Sequence, residues 1–330
     1  MDYEIIATLG PSSADAATWR AMLDAGATAF RLNTSHLSLK ELHGWLERLD
    51  AFFAALPARP SLALDLQGSK WRLGQFAAFE LREGQRIELV RAADSQRENI
   101  LPVPHADFFR AAAVSDGKIV LNDARILLEV EALDGEQMRA RVIQGGAIAS
   151  NKGITLAVSA YRSEALSEKD RAILEETREF PDIRYAISYV KDAMEMAGYH
   201  TWIHALPGKP ACLISKLERR QAVEAAQEVA AWADELWLCR GDLGAELGLV
   251  DMAAAVQRFS EQAGQFPVPA MLAGQVLEHM TGQPTPTRSE VCYLHDALLK
   301  GYRGIVLSDE TAIGRYPVDS CRTAAMFKQR

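Results

Sequence analysis

Cysteine is scarce in this chain of 330 residues: there are four, and none stands in a C-x-x-C or other zinc or redox spacing. Cys212, Cys239, Cys292 and Cys321 each lie in an apolar stretch, which predicts buried free thiols in a reducing compartment. No stretch approaches the roughly 18 apolar residues of a membrane span. The opening Met1-Asp2-Tyr3-Glu4 has no basic segment with an apolar run behind it, so no secretory leader is expected and the predicted location is cytoplasmic. Net charge is −8, without a long run of one sign. That excludes a general nucleic-acid binder, which needs a basic face. The sequence has no G-x-x-x-x-G-K-[ST], so it is not a P-loop enzyme. It has no internal repeat and no low-complexity tract.

What the chain does have is apolar content, 48%, enough for a large core. Short apolar runs recur at Glu4–Leu9, Thr28–Leu32, Ser61–Asp65, Ile183–Ser188, Ala211–Ser215, Glu235–Cys239, Val268–Ala273 and Gly304–Ser308. Amphipathic segments lie between most of them: Ala14–Ala25, Leu39–Phe53, Glu168–Glu179, Gln221–Ala233 and Asp251–Gln262. A last helix is expected over Val318–Lys328. Continuously apolar strands followed by helices predict a parallel sheet covered on both sides. Eight of them favour a closed (β/α)8 TIM barrel over an open sheet.

The rhythm breaks between Gln75 and Ala157. Alternating segments at Arg86–Val90, Lys118–Leu121, Ile126–Glu131, Met138–Ile143 and Gly153–Leu156 are separated by glycine turns such as Glu83-Gly84, Asp116-Gly117 and Asp134-Gly135. This predicts a small, β-barrel-like lid domain over residues 75–157, inserted after the third barrel strand. The catalytic barrel is then built from 1–74 and 158–330.

Barrel chemistry sits at the C-terminal strand ends. After the second run comes Arg31-Leu32-Asn33-Thr34-Ser35-His36, either a functional rim or a polar strand end with a helix cap. After the third comes Asp65-Leu66-Gln67-Gly68-Ser69-Lys70-Trp71-Arg72; a buried Asp there is costly unless paired or bound to a cation. After the fifth comes Ser215-Lys216-Leu217-Glu218, where period-two alternation puts Lys216 and Glu218 on one side. That pair suits a phosphoryl or enolate oxygen beside a metal, or a local salt bridge. After the sixth comes Arg240-Gly241-Asp242-Leu243-Gly244, a glycine-flanked Asp whose backbone can approach an anion. Glu218 and Asp242 would supply carboxylate oxygens to one Mg²⁺ or Mn²⁺.

Taken in order, these segments resemble the pyruvate kinase family. Thr8-Leu9-Gly10-Pro11-Ser12-Ser13 is similar to its T-I-G-P-A-S, and Arg31–His36 to R-L-N-F-S-H. Leu166–Asp170 matches L-S-E-K-D, Ile214–Glu218 resembles I-S-K-I-E, and Arg240–Gly244 is R-G-D-L-G unchanged. Asn151-Lys152-Gly153, Pro286–Val291 and Ser308–Pro317 resemble three further motifs.

The resemblance implies phosphoryl transfer between phosphoenolpyruvate and a nucleoside diphosphate, with small-molecule partners only. By position, Glu218 and Asp242 would hold Mg²⁺ and Lys216 would neutralise the phosphoryl group in flight. Arg31 and Arg72 would grip phosphates, with Lys152 closing from the insertion. The backbone at Gly241-Asp242 would bind the substrate carboxylate, and His36 would lie toward the nucleotide. Asn33, Ser35, Asp65 and the Leu66 carbonyl correspond to the family's K⁺ cage. Lys70 stands where K⁺-dependent members carry Glu, so K⁺ is not expected to be required. Gly274, in Ala273-Gly274-Gln275-Val276-Leu277, replaces the Thr of A-T-Q-M-L, whose hydroxyl helps deliver a proton to the enolate. That departure leaves two other readings open: a metal-dependent lyase or enolate-forming enzyme on pyruvate- or oxaloacetate-like substrates, and a catalytically impaired ligand-binding homologue. Because the printed sequence stops after the eighth unit, the resemblance implies a form without the family's C-terminal effector domain and a homodimer rather than a tetramer.

Overall fold

Eight parallel strands close into a barrel. In chain order they are β1 (Glu4–Leu9), β2 (Ala29–Asn33), β3 (Ser61–Leu66), β4 (Ile183–Ile187), β5 (Cys212–Leu217), β6 (Glu235–Cys239), β7 (Ala270–Ala273) and β8 (Gly304–Leu307). Each pairs in parallel with its sequence neighbours, and β1 pairs with β8 to close the ring. The computed structural model describes residues 1–115, 117–121, 126–156 and 166–328. The expected insertion boundary at Ala157 and the Asp116 half of one predicted turn lie outside them.

The chain divides into two compact units. One comprises Met1–Gly68, Leu166–Arg240 and Ala254–Arg330; the other comprises Ser69–Ala165 and Gly241–Ala253.

In the barrel unit, side chains alternate between the interior and the surrounding helices. The inward set forms tiers. The middle tier is apolar: Ile6, Ala29, Ala63, Ala186, Ile214, Trp237, Met271 and Val306 pack together. One large indole, Trp237, packs in this tier with three alanines, Ala29, Ala63 and Ala186. Two residues earlier on the strands, Arg184 pairs with Glu4 at 2.8 Å and with Glu235 at 2.8 Å, and Trp237 Nε1 also donates to Glu235. Two residues later comes a second charged tier, Arg31, Asp65, Ser188 and Lys216.

The second unit carries a six-stranded sheet, in the spatial order Ile154–Leu156, Lys118–Leu121, Ile126–Asp134, Gln137–Gln144, Arg86–Val90, Ile100–Pro102. A two-stranded sheet pairs Gly146–Ile148 with Phe79–Leu81. Its core includes Trp71, Leu89, Phe108, Phe109, Leu128 and Val142, with Trp71 and Phe108 edge to face at 5.4 Å.

Some expectations need correction. The helix expected over Gln221–Ala233 is broken into Arg220–Glu224, Ala226–Val229 and a 3₁₀ turn. The one expected over Asp251–Gln262 is the second part of Arg240–Gln262, interrupted at Gly248, whose φ of 72° no helix accommodates. The last helix is shorter, Pro317–Ala324. Helix Ala193–Ala205 went unmarked because its apolar residues occupy every face, leaving no period to read. Of the cysteines, Cys239 and Cys321 are buried, but Cys212 is half-buried and Cys292 exposed.

Candidate active site

In the barrel unit the C-terminal tier is a buried ionic cluster. Asp65, near the end of β3, accepts Arg31 Nε at 2.8 Å and Nη2 at 2.5 Å on one oxygen. Its other oxygen accepts Ser188 Oγ at 2.9 Å and Lys216 Nζ at 3.1 Å. Lys216 Nζ also reaches Ser188 Oγ at 2.8 Å and Glu218 Oε1 at 3.0 Å. The second Glu218 oxygen takes the Tyr189 backbone N–H at 2.8 Å. Arg31 Nη1 donates to Thr8 Oγ1 at 2.8 Å, so β1 joins the cluster as well.

Two cations and two carboxylates make this group formally neutral. Burial works against the Asp65 carboxylate, yet Lys216 and Arg31 override it and hold the carboxyl below its ordinary range. Burial also disfavours the Lys216 ammonium, and Asp65 and Glu218 override that, raising its pKa above the ordinary value. Lys216 therefore remains an ammonium at neutral pH within a formally neutral cluster at the strand ends.

The β7 exit is held from two directions. Arg240 donates to the Gly274 carbonyl through Nε at 3.0 Å and Nη2 at 2.5 Å, and to Gln275 O at 2.9 Å. Glu310 accepts Leu277 N–H at 2.9 Å and Ser308 N–H at 2.7 Å, tying this loop to the β8 exit. Gly274 and Gln275 both adopt left-handed backbone, φ 79° and 55°. A β-branched residue disfavours that conformation, which glycine adopts without strain.

In the second unit, Lys70 Nζ lies 2.6 Å from Asp242 Oδ1. Arg72 donates to the Asn151 carbonyl at 2.9 Å, and Leu73 N–H to Lys152 O at 2.9 Å. Gly241 and Asp242 occupy the first turn of helix Arg240–Gln262.

The family model described as "Pyruvate kinase, barrel domain" matches residues 2–321. The chain belongs to the pyruvate kinase family. It is 31% identical over 99% of its length to "Pyruvate kinase" of Aeropyrum pernix, covering 70% of that protein. It is 29% identical to "Pyruvate kinase 2" of Synechocystis sp., of which it covers 56%, and 29% identical to "Pyruvate kinase" of Mycobacterium tuberculosis, of which it covers 68%. The chain thus spans between about half and seven-tenths of these relatives.

Of the residues that the pyruvate kinase resemblance singles out, Arg31, Asp65, Lys216 and Glu218 come together in the barrel unit. Asn33 closes β2 and accepts Ser35 N–H at 3.2 Å, with Ser35 and His36 in the 3₁₀ turn that follows. Leu66 ends β3. The local salt bridge weighed for Lys216 and Glu218 is present, alongside the shared rim orientation. Asp242 and Lys70 meet in the second unit. Among the described residues, no group of three or more His, Cys, Asp or Glu side chains forms a metal cage.

Ser188, Tyr189 and Arg240 were not singled out. Ser188 ends the fourth apolar run and Tyr189 directly follows it, the rim position that pointed to Lys216 on the fifth. Tyr189 has φ 63°, and its ring lies under the Arg219 guanidinium at 4.5 Å. No sequence signal marks that turn.

Proposed function

We propose that this chain is a phosphotransferase of the pyruvate kinase type, moving a phosphoryl group between phosphoenolpyruvate and a nucleoside diphosphate with Mg²⁺ or Mn²⁺. The observation that carries this reading is the buried Arg31–Asp65–Lys216–Glu218 cluster at the strand ends, built from the family's own motifs. Lys216, held charged between two carboxylates, is placed to neutralise charge on a transferring phosphoryl group, and Arg31 to bind a phosphate oxygen. Asp65 orients both cations. The proposed metal ligands are the carboxylates of Glu218 and Asp242, by the motif positions they occupy. Hard carboxylate oxygens fit a hard divalent ion, which takes its remaining ligands from water and substrate. Such an ion would supply charge neutralisation on the phosphoryl and enolate oxygens.

For the remaining positions, Arg72, Lys152 and His36 are assigned to the nucleotide and phosphates. The Gly241–Asp242 backbone and Gly274 are assigned to the substrate carboxylate and enolate. Residues 75–157 are assigned as the lid domain, and the proposed assembly is a homodimer.

One observation favours a second reading, a metal-dependent enzyme that forms an enolate of a pyruvate- or oxaloacetate-like acid without net phosphoryl transfer. Gly274 brings no hydroxyl, and its left-handed backbone is one that a β-branched residue disfavours. Incubating the purified protein with Mg²⁺, phosphoenolpyruvate and a panel of nucleoside diphosphates separates the two. Equal yields of pyruvate and triphosphate support phosphotransfer. Pyruvate without triphosphate supports the second reading, and no product from any pair refutes the first.

A further inference from the structure

The Lys70–Asp242 contact stands out within the second unit. The ammonium lies 2.6 Å from the carboxylate, and the two side chains are only 8% and 15% exposed. A charge-assisted hydrogen bond with so little solvent is among the stronger polar contacts in a protein. The route of Lys70 to its partner is equally specific. A Cβ at Gly153 would lie 2.1 Å from Lys70 Cε and 2.7 Å from Nζ, so the lysine stem runs directly over the face of this glycine. The backbone of Gly153 is not left-handed, so the position needs space rather than conformational freedom. The neighbouring chain segments are locked in register: Arg72 bridges Gly153, and Ile154 N–H donates to Trp71 O at 3.0 Å.

We propose that Lys70 is a tethered cation resident on Asp242, which a divalent ion must displace, and that Gly153 is the positioning residue that lets it reach there. The inference rests on Asp242 being a metal ligand. An ammonium and a metal ion compete for the same carboxylate oxygen, so the lysine lowers the affinity of the free protein for the ion. An anionic substrate group offers Lys70 another partner. Metal and substrate then bind with positive coupling, each easing the other's entry. The lysine also keeps Asp242 compensated while no metal is bound.

The probe is Mn²⁺, titrated into the full chain without substrate, with free Mn²⁺ followed by electron paramagnetic resonance. Lys70→Met should tighten Mn²⁺ binding on the order of tenfold or more, the scale of removing one charge-assisted hydrogen bond from the carboxylate. It should also reduce the further tightening produced by phosphoenolpyruvate. Gly153→Ala keeps the charge and shifts only the far end of a flexible side chain, so the fold is retained. It should tighten binding in the same direction. Circular dichroism confirms folding of each variant. If Lys70→Met binds Mn²⁺ no more tightly than the parent while Asp242→Asn weakens binding, the competition is refuted and the metal assignment stands. If Asp242→Asn leaves Mn²⁺ binding unchanged, both fall. Tightening in Lys70→Met alone removes the role assigned to Gly153.

Discussion

Lys216 has two jobs that pull on one side chain. It is the proposed electrophile for phosphoryl transfer, and it is a structural counter-ion for two buried carboxylates, Asp65 and Glu218. Lys216→Met should therefore lower kcat by a factor on the order of 10²–10³, as for loss of one preorganised charge on a transition state. It should also cost about 3 kcal/mol of stability, because breaking a buried ion network leaves charges uncompensated. Steady-state kinetics at saturating substrate and urea unfolding read the two effects separately. Unchanged turnover in the folded variant would remove Lys216 from the transfer step. Lys70 carries a different expectation. The family resemblance at its position implies a form that does not need K⁺, the lysine ammonium supplying the positive charge. Activity should be the same in K⁺, Na⁺ or tetramethylammonium, and Lys70→Glu should make it K⁺-dependent. A parent enzyme inactive until K⁺ is added would contradict this.

Loops and helix starts set the geometry that these residues need. Asp170 is the third residue of helix Glu168–Thr177 and completes its capping box with Ser167. The same carboxylate accepts the N–H groups of Gln67 at 2.9 Å and Gly68 at 3.0 Å, fixing the β3 exit just beyond Asp65. Burial pushes its pKa up, opposed by these donors. Asp170→Ala orphans two loop N–H groups and one helix end, and should cost about 2–4 kcal/mol in urea unfolding. A loss below about 0.5 kcal/mol, the usual surface value, would mean the loop is held by other contacts. At the β7 exit, Gly274→Thr adds the hydroxyl that the family resemblance implies, on a backbone with φ 79°. The left-handed φ should cost about 1–2 kcal/mol, and kcat should not rise. A gain in pyruvate formation with stability intact would show that the loop tolerates Thr after all.

Across the barrel, charge at both ends encloses an apolar middle, and Glu235, in the tier it shares with Glu4 and Arg184, titrates. Burial, only partly offset by Arg184 and Trp237, raises the Glu235 pKa from 4.5 to about 6. A carboxyl that holds its proton more tightly when folded stabilises the protein below about pH 4.5. That contribution is lost as pH rises through about 6. The shift corresponds to about 2 kcal/mol at 1.36 kcal/mol per unit. Comparing the parent with Glu235→Gln, the stability difference should therefore move against the parent by roughly that amount between about pH 4.5 and about pH 7. Urea denaturation at the two values measures it, and a pH-independent difference would mean that Glu235 ionises normally.

The sequence alone determined the barrel and its rim. Eight apolar runs with helices between them can bury their faces in few ways, and the rim residues Arg31, Asp65, Lys216 and Glu218 follow from reading the ends of those runs. These are local properties: periodicity, strand parity and motif order are written along the chain. The tertiary structure decided who pairs with whom. That Ser188 bridges Asp65 and Lys216, that Arg240 clamps the Gly274 carbonyl, and that Lys70 passes over Gly153 to Asp242 each join positions far apart in sequence. A buried charge must find a partner because its desolvation is costly, but which partner it finds depends on distances that only the folded chain sets.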